Sequence, residues 1–156
     1  MYDARQIANW FINKSAGALD TLTLSQLFKL IYIAHERHIE KTGLPLVNNR
    51  IEAWKHGPVI PDVYQAFKDQ GVYVETTDPH YLSTVRGADE AFLDGVYGEF
   101  GQLSVPALSR VTNRPNTPWF FCDQAVRAVC AYDLRLHRGN QKGNPYGPPR
   151  IASFID

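Results

Sequence analysis

The chain has 156 residues, with sixteen Lys and Arg against sixteen Asp and Glu, a pI near 7.0 and two cysteines. That length suits one domain, residues 1–156, able to bury a core without metals or disulfides. The balanced charge excludes an overall field that would draw the chain to nucleic acid or anionic lipid.

The opening MYDARQIANW lacks the basic start and apolar run of a secretion signal, and no stretch is apolar for long enough to span a bilayer, so a cytoplasmic protein without membrane contact is expected. Asp3 with Gln6, and Thr23 with Gln26, have capping-box spacing, which predicts helices over about 4–14 and 24–41. In the second helix Leu24, Leu27, Phe28, Ile31, His35 and His38 fall on one stripe, and Leu30, Ile33 and Ala34 widen it. A helix with so wide an apolar surface is expected at the centre of the fold, touched on more than one side.

Gly43 stops that helix, GLPLVNN reads as turn and loop, and IEAWK reads as a short strand. The stretch from Lys55 to Ile60 must then turn the chain, with Gly57 and Pro58 fixing a strand-to-helix turn and Pro61 starting a helix that Gly71 ends. VYVE and YLSTV, separated by TTDPH, predict a small hairpin or two edge strands. Helical spacing returns near residue 88 with Phe92, Leu93, Val96 and Phe100, and again after Ser104, where Pro106 suits a first turn, towards Val111.

TNRPNTPW breaks that helix, and Trp119 to about Leu136 again reads as helical, carrying Cys122 and Cys130 as reduced core thiols about two turns apart. Residues 137–150 read as a Gly- and Pro-rich loop, with Ile151 and Phe154 able to tie the end down. The fold class expected is mainly α of α+β type, a compact helical domain with a small β-hairpin or short sheet. No internal repeat is present.

Sites of chemistry are sparse. His35 and His38 are three apart on a helix and His56 lies on the following turn, but neither HExxH nor paired-Cys spacing accompanies them, so core hydrogen bonding is preferred to metal ligation. Glu52, Lys55 and His56 are close in sequence, yet strand alternation sends Glu52 and Lys55 to opposite faces. With no GxSxG elbow, P-loop or dinucleotide fingerprint, neither catalytic nor cofactor residues are expected. Arg135, His137, Arg138 and Lys142 form a local cluster of cations that reads as a solvated loop. Eight Phe, eight Tyr and three Trp exceed what catalysis requires and suit both a core and a protein interface.

Residues 24–71, LSQLFKLIYIAHERHIEKTGLPLVNNRIEAWKHGPVIPDVYQAFKDQG, resemble the Panacea domain, the SocA-like family also met as phage-associated proteins. The helical part of the resemblance falls on Leu27, Lys29, Leu30, Tyr32 and Ala34, with His38 where that family often has His. The turn falls on Gly43, Pro45 and Leu46, and the densest block on Glu52, Ala53, Trp54, Gly57, Pro58, Val59, Pro61 and Tyr64. Further on, Leu108, Ser109, Thr112, Pro118 and Trp119 are similar to the family's later segment, but Asn113 replaces a frequent His, which counts against any role resting on it.

The resemblance implies an antitoxin that neutralises the toxin of a neighbouring gene by direct binding. An alternative is a phage-associated adaptor that delivers a partner to a cytosolic protease, and a histidine-based metalloenzyme is the remaining reading. Lys29, Tyr32, His38, Glu52, Trp54, Gly57, Pro58, Val59, Pro61, Tyr64, Pro118 and Trp119 are the motif positions from which a partner surface would be drawn. Trp54 is expected to pack on the central helix near Tyr32 or Ala34, mainly to stabilise the corner.

Overall fold

The computed structural model describes residues 1–82 and 84–115 together with the backbone of 130–132. Helix α1 spans Ala4–Gly17, and the predicted capping box is formed: the Asp3 carboxylate accepts from the Arg5 and Gln6 backbone amides while the Gln6 side chain accepts from the Asp3 amide. Strand β1, Leu22–Thr23, leads directly into α2, Leu24–Thr42, whose own box joins Thr23 and Gln26. Gly43 closes α2 at φ 74°, a left-handed conformation that costs a glycine little.

From Leu27 to His35 every residue of α2 is buried. Helices α1, α3 (Pro61–Phe67), α4 (Ala88–Phe100) and α5 (Val105–Thr112) all pack on it, as do β1 and a strand of the corner described below. The expected central helix is therefore present. Leu27, Leu30, Ile31 and Ala34 are wholly buried, with Ile7 and Phe11 of α1, Phe67 of α3, Leu93 of α4 and Leu108 of α5 in the same core. Each large apolar side chain so placed contributes about 2 kcal/mol of burial free energy.

Two small antiparallel sheets complete a mainly α, α+β fold. Strand β2, Ile51–Trp54, lies between β3, Gly57–Val59, and β5, Cys130–Tyr132, while β1 pairs with β4, Tyr73–Val74. Three local expectations are corrected. Gly57 and Pro58 do not simply turn from strand to helix: with Val59 they form the second strand of a hairpin, in register Glu52↔Val59, Ala53↔Pro58 and Trp54↔Gly57.

YLSTV is no hairpin partner of VYVE either. Tyr73 and Val74 pair instead with Thr23 and Leu22, and Pro79–Tyr81 forms a 3-10 turn. Finally, Cys130 lies on a strand and not on a helix shared with Cys122. Cys130, Ala131 and Tyr132 pair with Ala53, Glu52 and Ile51, so a free edge of β2 supplies backbone partners and outweighs local helical propensity. The rest of the expected helix over 119–136, Cys122, the 137–150 loop and the anchoring Ile151 and Phe154 lie outside the described residues.

Asn9 is a polar hub that the sequence did not announce. It is 1% exposed, its amide donates to the carbonyls of Asp78 at 2.8 Å and of Tyr81, and its oxygen accepts from the Asp78 amide at 2.9 Å. Removing it strands three backbone groups of the 78–81 turn, each worth about 1 kcal/mol or more when buried. Asn9→Ala is expected to destabilise the protein by about 3 kcal/mol in denaturant titration; a loss below about 1 kcal/mol would mean that water substitutes for the amide.

Candidate partner-binding corner

Residues at positions i, i+4, i+7 and i+11 share one face of a helix, and Ser25, Lys29, Tyr32 and Glu36 have that spacing on α2. Lys29 is 2% exposed. Its ammonium donates to the His56 carbonyl at 3.0 Å and to Ser25 Oγ at 3.4 Å, so it ties the hairpin turn to the central helix. Burial pushes its pKa below the usual lysine value.

The hairpin turn is shaped around that ammonium. Gly57 sits at φ 131°, which side chains rarely tolerate, and a Cβ there would stand 2.7 Å from Lys29 Nζ. Pro58 follows on β3, an edge strand, where a residue without an N–H is tolerated. Pro61 occupies the first turn of α3, again where the missing N–H is no loss.

Along one face of β2 lies a chain of contacts made possible by the two-residue repeat of a strand. The buried Glu52 carboxylate, 1% exposed, accepts from Trp54 Nε1 at 2.7 Å and pairs with Arg50 at 3.2 Å. The Trp54 ring lies 5.8 Å from Tyr64 of α3 at an interplanar angle of 58°, and Lys68 Nζ stands 5.9 Å over the Tyr64 ring. Trp54 is half-buried and packs against the edge of the core, with Tyr64 beside its ring. A carboxylate under the indole N–H and a tyrosine beside its ring hold it at the rim.

Further along α2, Tyr32 donates its hydroxyl to Glu36 at 2.8 Å. Burial pushes the Glu36 carboxyl up to about 7; Glu40 adds to the rise, while the Tyr32 hydrogen bond and the charges of Arg114 and Arg37 oppose it. Glu36 escaped sequence reading because a glutamate after an apolar stripe looks like solvated surface; its spacing from Tyr32 was the available signal.

His38 belongs to a different place, against α4. Its Nδ1 lies 2.7 Å from the Leu44 carbonyl, its Nε2 lies 3.7 Å from Asp89, and its ring meets Phe92 edge-on at 5.5 Å. Asp89 also accepts from the Tyr2 hydroxyl at 2.6 Å, which with burial and the carboxylate charge drives that phenol up to about 12. His35 is buried and its Nδ1 accepts from the Val47 amide, whereas the His56 side chain is exposed. Among the described residues, no three His, Cys, Asp or Glu side chains gather as metal ligands would.

The twelve motif positions thus divide. Lys29, Tyr32, Glu52, Gly57, Pro58 and Val59 are buried; Trp54, Pro61 and Tyr64 reach the surface at the corner; His38 lies apart; Pro118 and Trp119 lie outside the described residues. A groove of about 560 Å³ between α1 and α4, walled by Trp10, Lys14, Arg86 and Asp94, contains none of them.

Residues 27–120 match the family model described as antitoxin SocA-like, Panacea domain. The chain is also 32% identical, over 133 residues, to Antitoxin SocA of Caulobacter vibrioides (strain NA1000 / CB15N), covering 75% of this chain and 68% of that protein. The chain belongs to the SocA-like Panacea family. No solved structure matches it. In this Panacea domain the match begins inside α2 and takes in Lys29, the hairpin and α3, so the family pattern coincides with the corner. No helix of the described residues is long and apolar enough to cross a membrane.

Two outcomes follow for the Panacea domain's corner. Gly57→Ala forces a side chain into a strained φ and against Lys29 Nζ, and is expected to lower stability by about 2 kcal/mol or more; a neutral effect in thermal melts would show that turn and lysine relax together. Glu36, with a native pKa raised from 4.5 to about 7, holds its proton more tightly when folded, so its contribution is full below pH 4.5 and is lost as pH rises towards 7. Glu36→Gln should therefore flatten the decline in stability between pH 5 and pH 8 by up to about 2 kcal/mol, the partly exposed carboxyl being screened. A decline unchanged by the substitution would assign it to other groups.

Proposed function

We propose that this protein is an antitoxin that binds and neutralises a toxin encoded beside it, acting in the cytoplasm through protein contact and without a cofactor. The observation that carries the reading is its family, together with its 32% identity to a protein named as an antitoxin. The geometry supports a binding role for the corner. Trp54 and Tyr64 form an aromatic pair at the protein rim, held from beneath by Glu52 and by the hairpin that Lys29 anchors, and such preorganised aromatics are favoured anchors of interfaces.

In this reading Lys29, Tyr32, Glu52, Gly57, Pro58 and Val59 shape the surface and Trp54, Pro61 and Tyr64 touch the partner. Pro118 and Trp119 join them by resemblance, and His38 secures the far end of α2.

The test is co-expression. The neighbouring gene should arrest growth alone, this protein should relieve the arrest, and the two should co-purify. A harmless neighbour that forms no complex would overturn the antitoxin reading, and relief accompanied by a fall in toxin level would mark delivery to a protease instead of masking. Trp54→Ala is expected to cost about 2 kcal/mol of stability, because the ring is only half-buried, and to weaken the complex about tenfold or more. Binding unchanged by the substitution would remove Trp54 from the interface.

A further inference from the structure

We infer that Asn49, which no motif singles out, is a positioning residue for partner binding: its side chain ties α3 to the loop that enters β2 and so sets the Trp54–Tyr64 pair before a partner arrives. The inference rests on the binding role just proposed and adds what holds that surface ready.

Asn49 lies three residues before Glu52, in the loop that runs into β2. Its Oδ1 accepts from the Ala4 amide at 2.6 Å, one of the donors that a helix start leaves without a partner in its own helix. Its Nδ2 donates to the Asp62 carboxylate at 2.6 Å. The orientation of the amide is fixed by these partners, since a flip would set NH2 against the Ala4 N–H and oxygen against the carboxylate. One side chain thus joins the first turns of α1 and α3.

Helix α3 gains from such a tie. It has seven residues, Ile60 at its start supplies no side-chain cap, and its buried residues are Val63 and Phe67. So short a helix is marginal by itself. The bond from Asn49 spans thirteen positions and closes a ring that holds the whole β2–β3 hairpin. Trp54 lies inside that ring, and Tyr64 follows two residues beyond its closure.

Closing the ring therefore fixes where the helix bearing Tyr64 begins relative to the strand bearing Trp54, whose rings stand 5.8 Å apart. An amide donating to a carboxylate makes one of the stronger hydrogen bonds. With the ring open, the Tyr64 ring is placed by the two core residues of α3 alone, and a partner must impose the order that the free protein otherwise has. Preorganisation of this kind shows as affinity.

The experiment compares the full-length protein with Asp62→Ala, Asn49→Asp and the swap Asn49→Asp/Asp62→Asn. Asn49→Asp keeps the acceptor for the Ala4 amide but sets two carboxylates against each other, whereas the swap restores donor and acceptor at the wild-type charge. Two quantities are read well below each melting temperature: the nuclear Overhauser contact between the Trp54 and Tyr64 rings in the free protein, and the affinity for the neighbouring gene's product. The expected result is a weakened ring contact and an affinity lowered about fivefold in both single variants, with both quantities recovered in the swap. Wild-type affinity in Asp62→Ala, or a folded swap that recovers neither quantity, would overturn this inference and leave the antitoxin reading intact. Lost affinity with an unchanged ring contact would assign Asn49 and Asp62 to direct contact with the partner and also overturn it. Failure of the wild type to bind would sink both readings.

Discussion

One hydrogen bond organises the corner: the buried ammonium of Lys29 on the carbonyl of His56. A lysine is rarely buried unless its ammonium is satisfied, and here the acceptor is a hairpin turn supplied by a segment twenty-seven residues further along the chain. The turn can come close enough only because Gly57 has no side chain and adopts a φ open to glycine. Helix, turn and glycine therefore form one unit. Disturbing any member exposes the ammonium to an environment that neither solvates nor neutralises it.

That unit explains why so many constrained residues crowd between Gly57 and Pro61. Gly57 makes room, Pro58 suits an edge strand and Pro61 opens α3, so the backbone path is set by local stereochemistry before any side chain packs. On the outside of that path the Glu52–Trp54 bond and the Trp54–Tyr64 contact place two large rings at the rim. A buried polar layer thus shapes the rim above it, and the buried and rim positions are different residues of the same motif.

Much of this fold was legible in the sequence. The two capping boxes located the starts of α1 and α2, Gly43 located the end of α2, and Pro61 and Pro106 marked the openings of α3 and α5, because each signal depends on residues within one turn. What escaped depends on partners far along the chain. The two-residue strands β1 and β4 are too short to carry a period and exist only through each other, and β5 is drawn to a free edge of β2 against its helical pattern. At the site, the motif named Lys29 but not its burial, since nothing in a lysine's neighbourhood along the chain reveals a carbonyl brought in by a turn. Asn9 was missed for the same reason, its partners lying some 69 residues away, whereas Glu36 was missed because a glutamate after an apolar stripe reads as solvated surface.

The division between buried and exposed motif residues also bears on what binding requires. An aromatic side chain that must find its rotamer on association loses entropy that weakens the complex. Trp54 has already lost it, because its indole N–H is held by a carboxylate that Arg50 in turn holds, and its ring rests on Tyr64. Lys55 and Lys68, by contrast, keep flexible stems with exposed heads. In the binding role proposed above, the corner therefore offers an apolar anchor whose ordering cost the fold has already met.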